Sequence, residues 1–171
     1  MKYHTAQPKN QSLIGQKRYL LKHGIDTNYM FSLSDSFMQQ FAMAEYPLFL
    51  HDTGVFRPIQ LRSFDSLGKT DYNWSICYGF VDDFIKNCQI GGRYPFDVDS
   101  TLTLQDLGKM VNEPQKFQKE IMEADNVDLY VVTFWAKYLG TPAVWTLQSV
   151  ESFSDTCQKN VRHIKLNLGK F

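Results

Sequence analysis

Four aspartates lie within eighteen positions of one another, and they are the residues in this chain whose spacing most readily suggests chemistry. They are Asp82, Asp83, Asp97 and Asp99. Carboxylate oxygens are the ligands that a hard divalent cation such as Mg²⁺ takes. If the four side chains converge, they predict a Mg²⁺ site and a phosphohydrolase or nuclease activity. If they do not converge, they are solvated residues of turns and helix caps.

The segment Phe96–Leu102, with the sequence FDVDSTL, resembles the first motif of haloacid dehalogenase-type phosphatases. The resemblance implies that Asp97 is the nucleophile and Asp99 the general acid/base, with Mg²⁺ offsetting the phosphate charge. The segment Ile76–Asp83 is similar to the acidic metal-binding motif of that family. Here the acidic pair precedes the nucleophile motif, which reverses the family's order, so we assign the chain to no family.

A second short segment, Leu50–Gly54, resembles the active-site loop of retropepsin-type aspartic proteases. The resemblance implies that Asp52 is catalytic, sharing a proton with its counterpart in a dimer. Val55 departs from that family's pattern, and Asp-Thr-Gly is also the composition of an ordinary hairpin turn. His51 lies beside Asp52 and is the best single candidate for a general base among the four histidines.

The net charge is zero, but the charges are segregated along the chain. Residues 1–25 carry five bases and no acid, residues 26–130 carry sixteen acids against eight bases, and residues 131–171 carry five bases against two acids. The bases near both ends predict a basic surface that contacts an acidic protein or a nucleic acid. The candidate contact residues are Lys17, Arg18, Lys22, Arg162 and Lys165.

The composition predicts a single globular domain over 1–171, with 1–10 as a flexible arm and a core rich in aromatic residues. Hydrophobic residues make up 43% of the chain and aromatic residues 15%. No window reaches the roughly 18 apolar residues of a membrane span, and the N-terminal residues carry no signal-peptide pattern. The three cysteines (Cys77, Cys88 and Cys157) lack C-x-x-C spacing. We therefore expect reduced thiols, no disulfides, a cytoplasmic location and no membrane partner.

The most apolar stretch, Val127–Val150, predicts the centre of the fold. We expect two strands, Val127–Trp135 and Ala143–Val150, joined by a short loop that contains Gly140 and Pro142. Apolar residues on both faces of the first strand indicate burial on both sides. The short loop favours antiparallel pairing of the two strands.

Around this pair, capping residues predict helices, and alternating apolar residues predict strands. We expect helices over Gln11–His23, from Ser34 or Asp35 to Pro47, after Thr103, after Pro114, and after Ser154 or Asp155. We expect a hairpin turn at Asp52–Gly54, a polar loop over Ser63–Asn73, a strand near Trp74–Val81 and a C-terminal strand in which Ile164, Leu166 and Leu168 alternate with polar residues.

These elements predict an α+β domain with a mixed or mainly antiparallel sheet of about five or six strands and four or five helices packed on it. For each group of candidate catalytic residues, a role in a turn, a helix cap or the solvated surface is favoured over a role in catalysis. We therefore expect a non-catalytic cytosolic binding, adaptor or inhibitor protein that acts on a macromolecular partner, most readily another protein, and needs no cofactor. The alternatives are the Mg²⁺-dependent enzyme that uses the aspartate cluster and a nucleic-acid-binding protein that uses the basic termini.

Overall fold

A computed structural model describes residues 11–36, 61–69, 103–137 and 140–169 in full, and only the backbone of 51–52, 55–56, 59–60, 70–75, 85–86 and 89–90. The helices within these residues are α1 (Leu13–Lys22), α2 (Leu104–Gly108), α3 (Pro114–Phe117, continued by a π-helical turn over Gln118–Met122) and α4 (Thr141–Thr156). The strands are β1 (Met30–Ser32), β2 (His51–Asp52), β3 (Val55–Phe56), β4 (Ile59–Asp65), β5 (Thr70–Ser75), β6 (Ile85–Lys86), β7 (Gln89–Ile90), β8 (Leu129–Trp135) and β9 (Val161–Asn167).

A mixed sheet of five strands in the order β1-β9-β8-β4-β5 lies at the centre of the fold. Its middle strand, β8, runs parallel to β9 and antiparallel to β4, and all of its residues are buried. Strand β1 extends the parallel part, and β5 extends the antiparallel part. The α+β class and the buried central strand are confirmed, whereas the predicted numbers of strands and helices are only approximate.

The prediction of a second central strand over Ala143–Val150 is wrong, because these residues lie inside α4. Their buried members recur at helical spacing, and this side of α4 packs against the sheet. Gly140, with φ at +65°, turns the chain into the helix, and Pro142 fits its first turn. Helix α4 is therefore a crossover that joins β8 to the parallel strand β9, and the predicted antiparallel pairing is also wrong.

The predicted final helix after Ser154 or Asp155 is wrong for the same reason. Both residues lie in the last turns of α4, and Val161 begins β9.

The helix predicted over Gln11–His23 is confirmed as α1 (Leu13–Lys22). Ser12 caps it by accepting a hydrogen bond from the Gly15 amide, and the chain leaves it through a glycine with positive φ, as expected for a C-terminal stop.

The predicted polar loop over Ser63–Asn73 is wrong, because most of it belongs to the antiparallel pair β4 and β5. Polar residues inside β4, including the buried Arg62, conceal the strand in the sequence. The turn between the two strands is held by Asp65, whose Oδ1 accepts hydrogen bonds from the backbone amides of Leu67 and Lys69. The hairpin predicted at Asp52 is confirmed by the pairing of β2 with β3.

Helices α2 and α3 cover the sheet face opposite α4. The predicted N-cap is confirmed as a reciprocal capping box, in which Thr103 Oγ1 accepts from the Asp106 amide and Asp106 Oδ2 accepts from the Thr103 amide. The backbone and side-chain hydrogen bonds from Thr103 lower the pKa of Asp106. Leu107 and Phe117 bury the inner sides of the two helices in one core with β8.

The π-helical turn after α3 offers carbonyl groups to two side chains of the sheet. Arg162 donates a hydrogen bond to the Glu120 carbonyl at 2.7 Å, and the Tyr130 hydroxyl donates to the Ile121 carbonyl at 3.4 Å. The Arg162 guanidinium also lies over the Tyr29 ring at 4.6 Å. These contacts join the turn to β8, β9 and the segment before β1.

Cys157 is disulfide-bonded, so the prediction of no disulfides is wrong. Because disulfides are rare in the cytosol, cysteine usage no longer supports the predicted cytoplasmic location.

In the part of the chain that the structure describes, no helix has both the length and the apolar character needed to cross a membrane. Asp35 and Ser36 are helical. The rest of the helix predicted there, the strand residues after Ser75 and the N-terminal arm lie outside the described residues.

Gly108 is a position where an added methyl group is expected to destabilise the fold. A Cβ there would lie 2.9 Å from Cδ1 of the buried Phe117 ring, which has little room to move. We expect Gly108→Ala to lower the free energy of unfolding by about 1–3 kcal/mol. Urea denaturation measures this, with the exposed Gln105→Ala in the same helix as the control. Equal stability of both variants with the wild-type chain would contradict the packing described here.

Candidate functional site

The predicted C-terminal strand is confirmed as β9, and the polar residues on one side of it are buried. His163, Lys165 and Asn167 are 5%, 2% and 0% exposed, respectively. They lie on the sheet face that α1 and α4 cover, so the polar side of the strand is as enclosed as its apolar side. Buried charges and imidazoles require partners. The partners of His163 and Lys165 define the most concentrated polar cluster among the described residues.

His163 lies at the centre of this cluster, between a carboxylate and a hydroxyl. Its Nδ1 is 3.0 Å from Glu151 Oε1, and its Nε2 is 2.8 Å from Thr133 Oγ1. Lys165 Nζ is also 3.0 Å from Glu151 Oε1 and donates a hydrogen bond at 2.9 Å to the Asn28 carbonyl. We call Thr133, Glu151, His163 and Lys165 the buried network.

Three elements and one loop position the buried network. Thr133 and the pair His163 and Lys165 lie on the adjacent parallel strands β8 and β9, where Thr133 is in register with Lys165. Glu151 projects from α4, the crossover between those strands, so the chain's own connection brings the carboxylate over β9. Asn28 lies in the loop that joins α1 to β1 and links this loop to the network.

Burial determines the protonation state of the imidazole. Burial lowers the pKa of His163 to about 4, and the hydrogen bond to Glu151 raises it without offsetting the loss of solvation. Burial also acts to raise the pKa of Glu151, but the hydrogen bond to His163 and the charge of Lys165 outweigh it, so that this pKa is lowered. At neutral pH, therefore, Glu151 is a carboxylate and His163 is a neutral imidazole.

The neutral imidazole has only one arrangement of its proton that satisfies both partners. A carboxylate can only accept hydrogen bonds, so Nδ1 carries the proton and donates to Glu151. Nε2 is then the acceptor for the Thr133 hydroxyl. A carboxylate, imidazole and hydroxyl in this order are the arrangement that activates a hydroxyl nucleophile in acyl transfer.

Burial argues against catalysis by this arrangement. Thr133 is 0% exposed in the middle strand of the sheet, beneath α4. A substrate would reach its hydroxyl only if α4 left the sheet, and that would also remove Glu151 from His163. The buried network therefore acts as a polar attachment of α4 to β9. Sequence reasoning missed it because it predicted a strand over Ala143–Val150 and so placed Glu151 just after a strand, whereas Glu151 lies inside α4.

The sequence-predicted catalytic and metal-binding residues are not tested by the described part of the chain. Asp82, Asp83, Asp97 and Asp99 lie outside the described residues. His51 and Asp52 are described by their backbone in β2, and their side chains are not. Among the described residues, no group of three or more His, Cys, Asp or Glu side chains is arranged to hold a metal ion.

The sequence-predicted basic contact residues divide into two sets. Arg162 is half-buried against Tyr29 and the π-helical turn, and Lys165 is enclosed in the buried network. Both are thus engaged within the fold. The other three bases are exposed, and all of them lie on α1: Lys17, Arg18 and Lys22.

Two apolar side chains share the outward side of α1 with these bases. Ile14 is 72% exposed and Leu21 is 64% exposed. Residues three, four and seven positions apart lie on one side of a helix, so Ile14, Lys17, Arg18, Leu21 and Lys22 form one surface. We call this surface the α1 face. The opposite side of α1 is buried through Gln16 and Leu20.

No protein-family model, curated protein or solved structure matches this chain.

The low pKa of His163 predicts a loss of stability in mild acid. Between pH 6.5, the ordinary value, and about 4, the value in the fold, the unfolded chain takes up a proton that the folded chain does not. This group's contribution is fully present above pH 6.5 and falls by about 3 kcal/mol as the pH falls to 4. Urea denaturation across this range should show a smaller loss for His163→Gln. The control His23→Gln should keep the wild-type dependence; equal dependence in all three proteins would contradict the assignment.

Removing the carboxylate of the buried network is expected to leave Lys165 as a buried charge with only a carbonyl partner. We expect Glu151→Gln to destabilise the fold by about 3 kcal/mol. Adding Lys165→Met should recover part of this loss, because the uncompensated charge is removed along with its partner. Urea denaturation of the single and double variants measures the coupling, with the exposed Glu123→Gln as the control. Strictly additive losses would show that the two side chains do not interact.

Proposed function

We propose that this protein is a non-catalytic binding protein that engages an acidic protein partner through the α1 face. The observation that carries the proposal is the exposure of Ile14 and Leu21 beside three bases on one side of a helix. Single exposed apolar residues are common, but an apolar centre with a charged rim is the composition of a protein interface.

The α1 face is held in place by the side of the helix that faces the core. Leu20 packs in a core cluster with Trp135 and residues of α4, and the Tyr19 ring stacks on Trp135 at 5.7 Å. The Gln148 amide donates a hydrogen bond to the carbonyl of His23, the C-cap residue. A surface that is ordered before binding loses less conformational entropy when a partner binds.

The charge of the α1 face supports an acidic partner. Residues 1–25 contain no aspartate or glutamate, and the first turn of α1 carries no acid. Within the described part of the chain, no ion pair engages Lys17, Arg18 or Lys22. The three bases are exposed, and positive charges on a surface attract and orient a negatively charged partner.

Two features favour a protein over a nucleic acid as the partner. Ile14 and Leu21 separate the bases of the α1 face, and a phosphate backbone offers no apolar surface to cover them. Arg162 and Lys165, which would extend a basic surface, are engaged within the fold. Helix α4 lies on the same side of the sheet as α1, and its Trp145 is 47% exposed. An exposed aromatic residue in this layer suits a protein contact.

The test compares two labelled probes, an acidic peptide that contains leucine and glutamate and a DNA duplex of random sequence. We expect the peptide to bind, with an affinity that falls as salt is added. Lys17→Glu combined with Arg18→Glu should weaken it by at least about tenfold, equivalent to 1.4 kcal/mol. Fluorescence anisotropy measures both probes.

The matched control reverses two exposed bases elsewhere, Lys119→Glu combined with Lys159→Glu, and should leave peptide binding unchanged. Equal weakening by both double variants would reduce the effect to net charge and overturn the proposal. Tighter binding of the duplex, with no effect of Leu21→Ser, would establish the nucleic-acid alternative instead. Absence of peptide binding would also overturn the proposal.

A further inference from the structure

Resting on the proposed function, we infer that the element of the partner that contacts the α1 face is an amphipathic helix. We further infer that it packs antiparallel to α1, with acidic residues in its first turns and apolar residues facing Ile14 and Leu21. The inference concerns the shape and polarity of the partner, which the proposed function leaves open. It follows from the spacing and the distribution of charge on α1.

The spacing of the two apolar residues matches a helix better than a strand. Ile14 and Leu21 are seven positions apart, which is about 10.5 Å along a helix axis. Side chains on one side of a partner helix repeat at the same separation, with one apolar residue in every seven. Side chains on one side of an extended peptide repeat at roughly 6.8 Å, so they would be displaced from one of the two contacts.

The distribution of charge along α1 defines the direction of the partner. The first turn exposes the apolar residues Leu13 and Ile14, whereas the bases Lys17, Arg18 and Lys22 all follow. The acids of the partner must therefore lie opposite the C-terminal half of α1. Acidic residues stabilise a helix most when they lie near its own N-terminus. An antiparallel partner helix meets both requirements at once, and it also opposes the two helix dipoles.

The size of the α1 face limits the affinity. Helix α1 has ten residues, which corresponds to about 15 Å of length. A contact of this length lies at the small end of protein interfaces, below about 1,200 Å² of buried area. We therefore expect a transient complex with a dissociation constant on the order of micromolar.

The test uses three labelled peptides with the same content of leucine and glutamate. The first is a helix with two leucines seven positions apart and glutamates in its first turns; the second has the glutamates in its last turns; the third is the first peptide with a central proline. We expect the first to bind at least about tenfold more tightly than the others and to gain helical circular dichroism on binding. Ile14→Ser combined with Leu21→Ser should abolish this preference, and the control Leu67→Ser, at a 77% exposed position, should not.

The outcomes separate this inference from the proposed function. Equal binding of all three peptides, still lost in the Lys17→Glu and Arg18→Glu double variant, would overturn the helical partner and leave the acidic-protein proposal standing. No binding of any peptide at the α1 face would overturn both. Self-association that Leu21→Ser abolishes would identify the occupant as a second copy of this chain and would also overturn the inference. Sedimentation velocity measures this last outcome.

Discussion

The ion pair between Glu151 and Lys165 is the interaction on which the described fold most depends. It joins α4 to β9 where both polar groups are largely removed from water. Among the described residues, loss of either side chain would leave the other with hydrogen-bond partners but without the opposite charge of this ion pair. His163 uses the same carboxylate oxygen and extends the contact to Thr133 on the middle strand. Because Lys165 also binds the Asn28 carbonyl, the pair fixes the position of the segment that leads from α1 into the sheet.

The two faces of the sheet are covered in different ways: one face holds an apolar core, and the other is covered by the layer of helices that includes the proposed binding surface. On one face, α2 and α3 bury an apolar core against β8. On the other face, α1 and α4 cover the polar side of β9, and their outward surfaces carry exposed apolar residues and, on α1, exposed bases. The polar attachment beneath α4 supports the helix on which α1 rests. The α1 face, where we propose that the partner binds, therefore belongs to the layer of helices that the buried network attaches to the sheet.

Local signals in the sequence predicted the elements whose ends have capping residues. The capping box at Thr103, Pro114 in the first turn of α3 and the glycine after α1 each act over a few residues, so they could be recognised without the fold. Helix α4 could not be recognised from the sequence in this way, because its apolar residues suit a buried strand and a buried helix equally. The burial of Lys165 and His163 could not be predicted either, because their partner Glu151 comes from another element whose position depends on the crossover.

The place of β9 in the sheet has a consequence for how the chain is made. Strand β9 lies between β1 and β8, yet it is synthesised after every other described strand. During translation β1 therefore has no partner within this sheet, and the edge of β8 that β9 will occupy stays open. Unpaired strand edges of this kind promote aggregation. We expect a nascent chain that stalls before β9 to depend on chaperones, whereas release of β9 allows the parallel half of the sheet to close in one step.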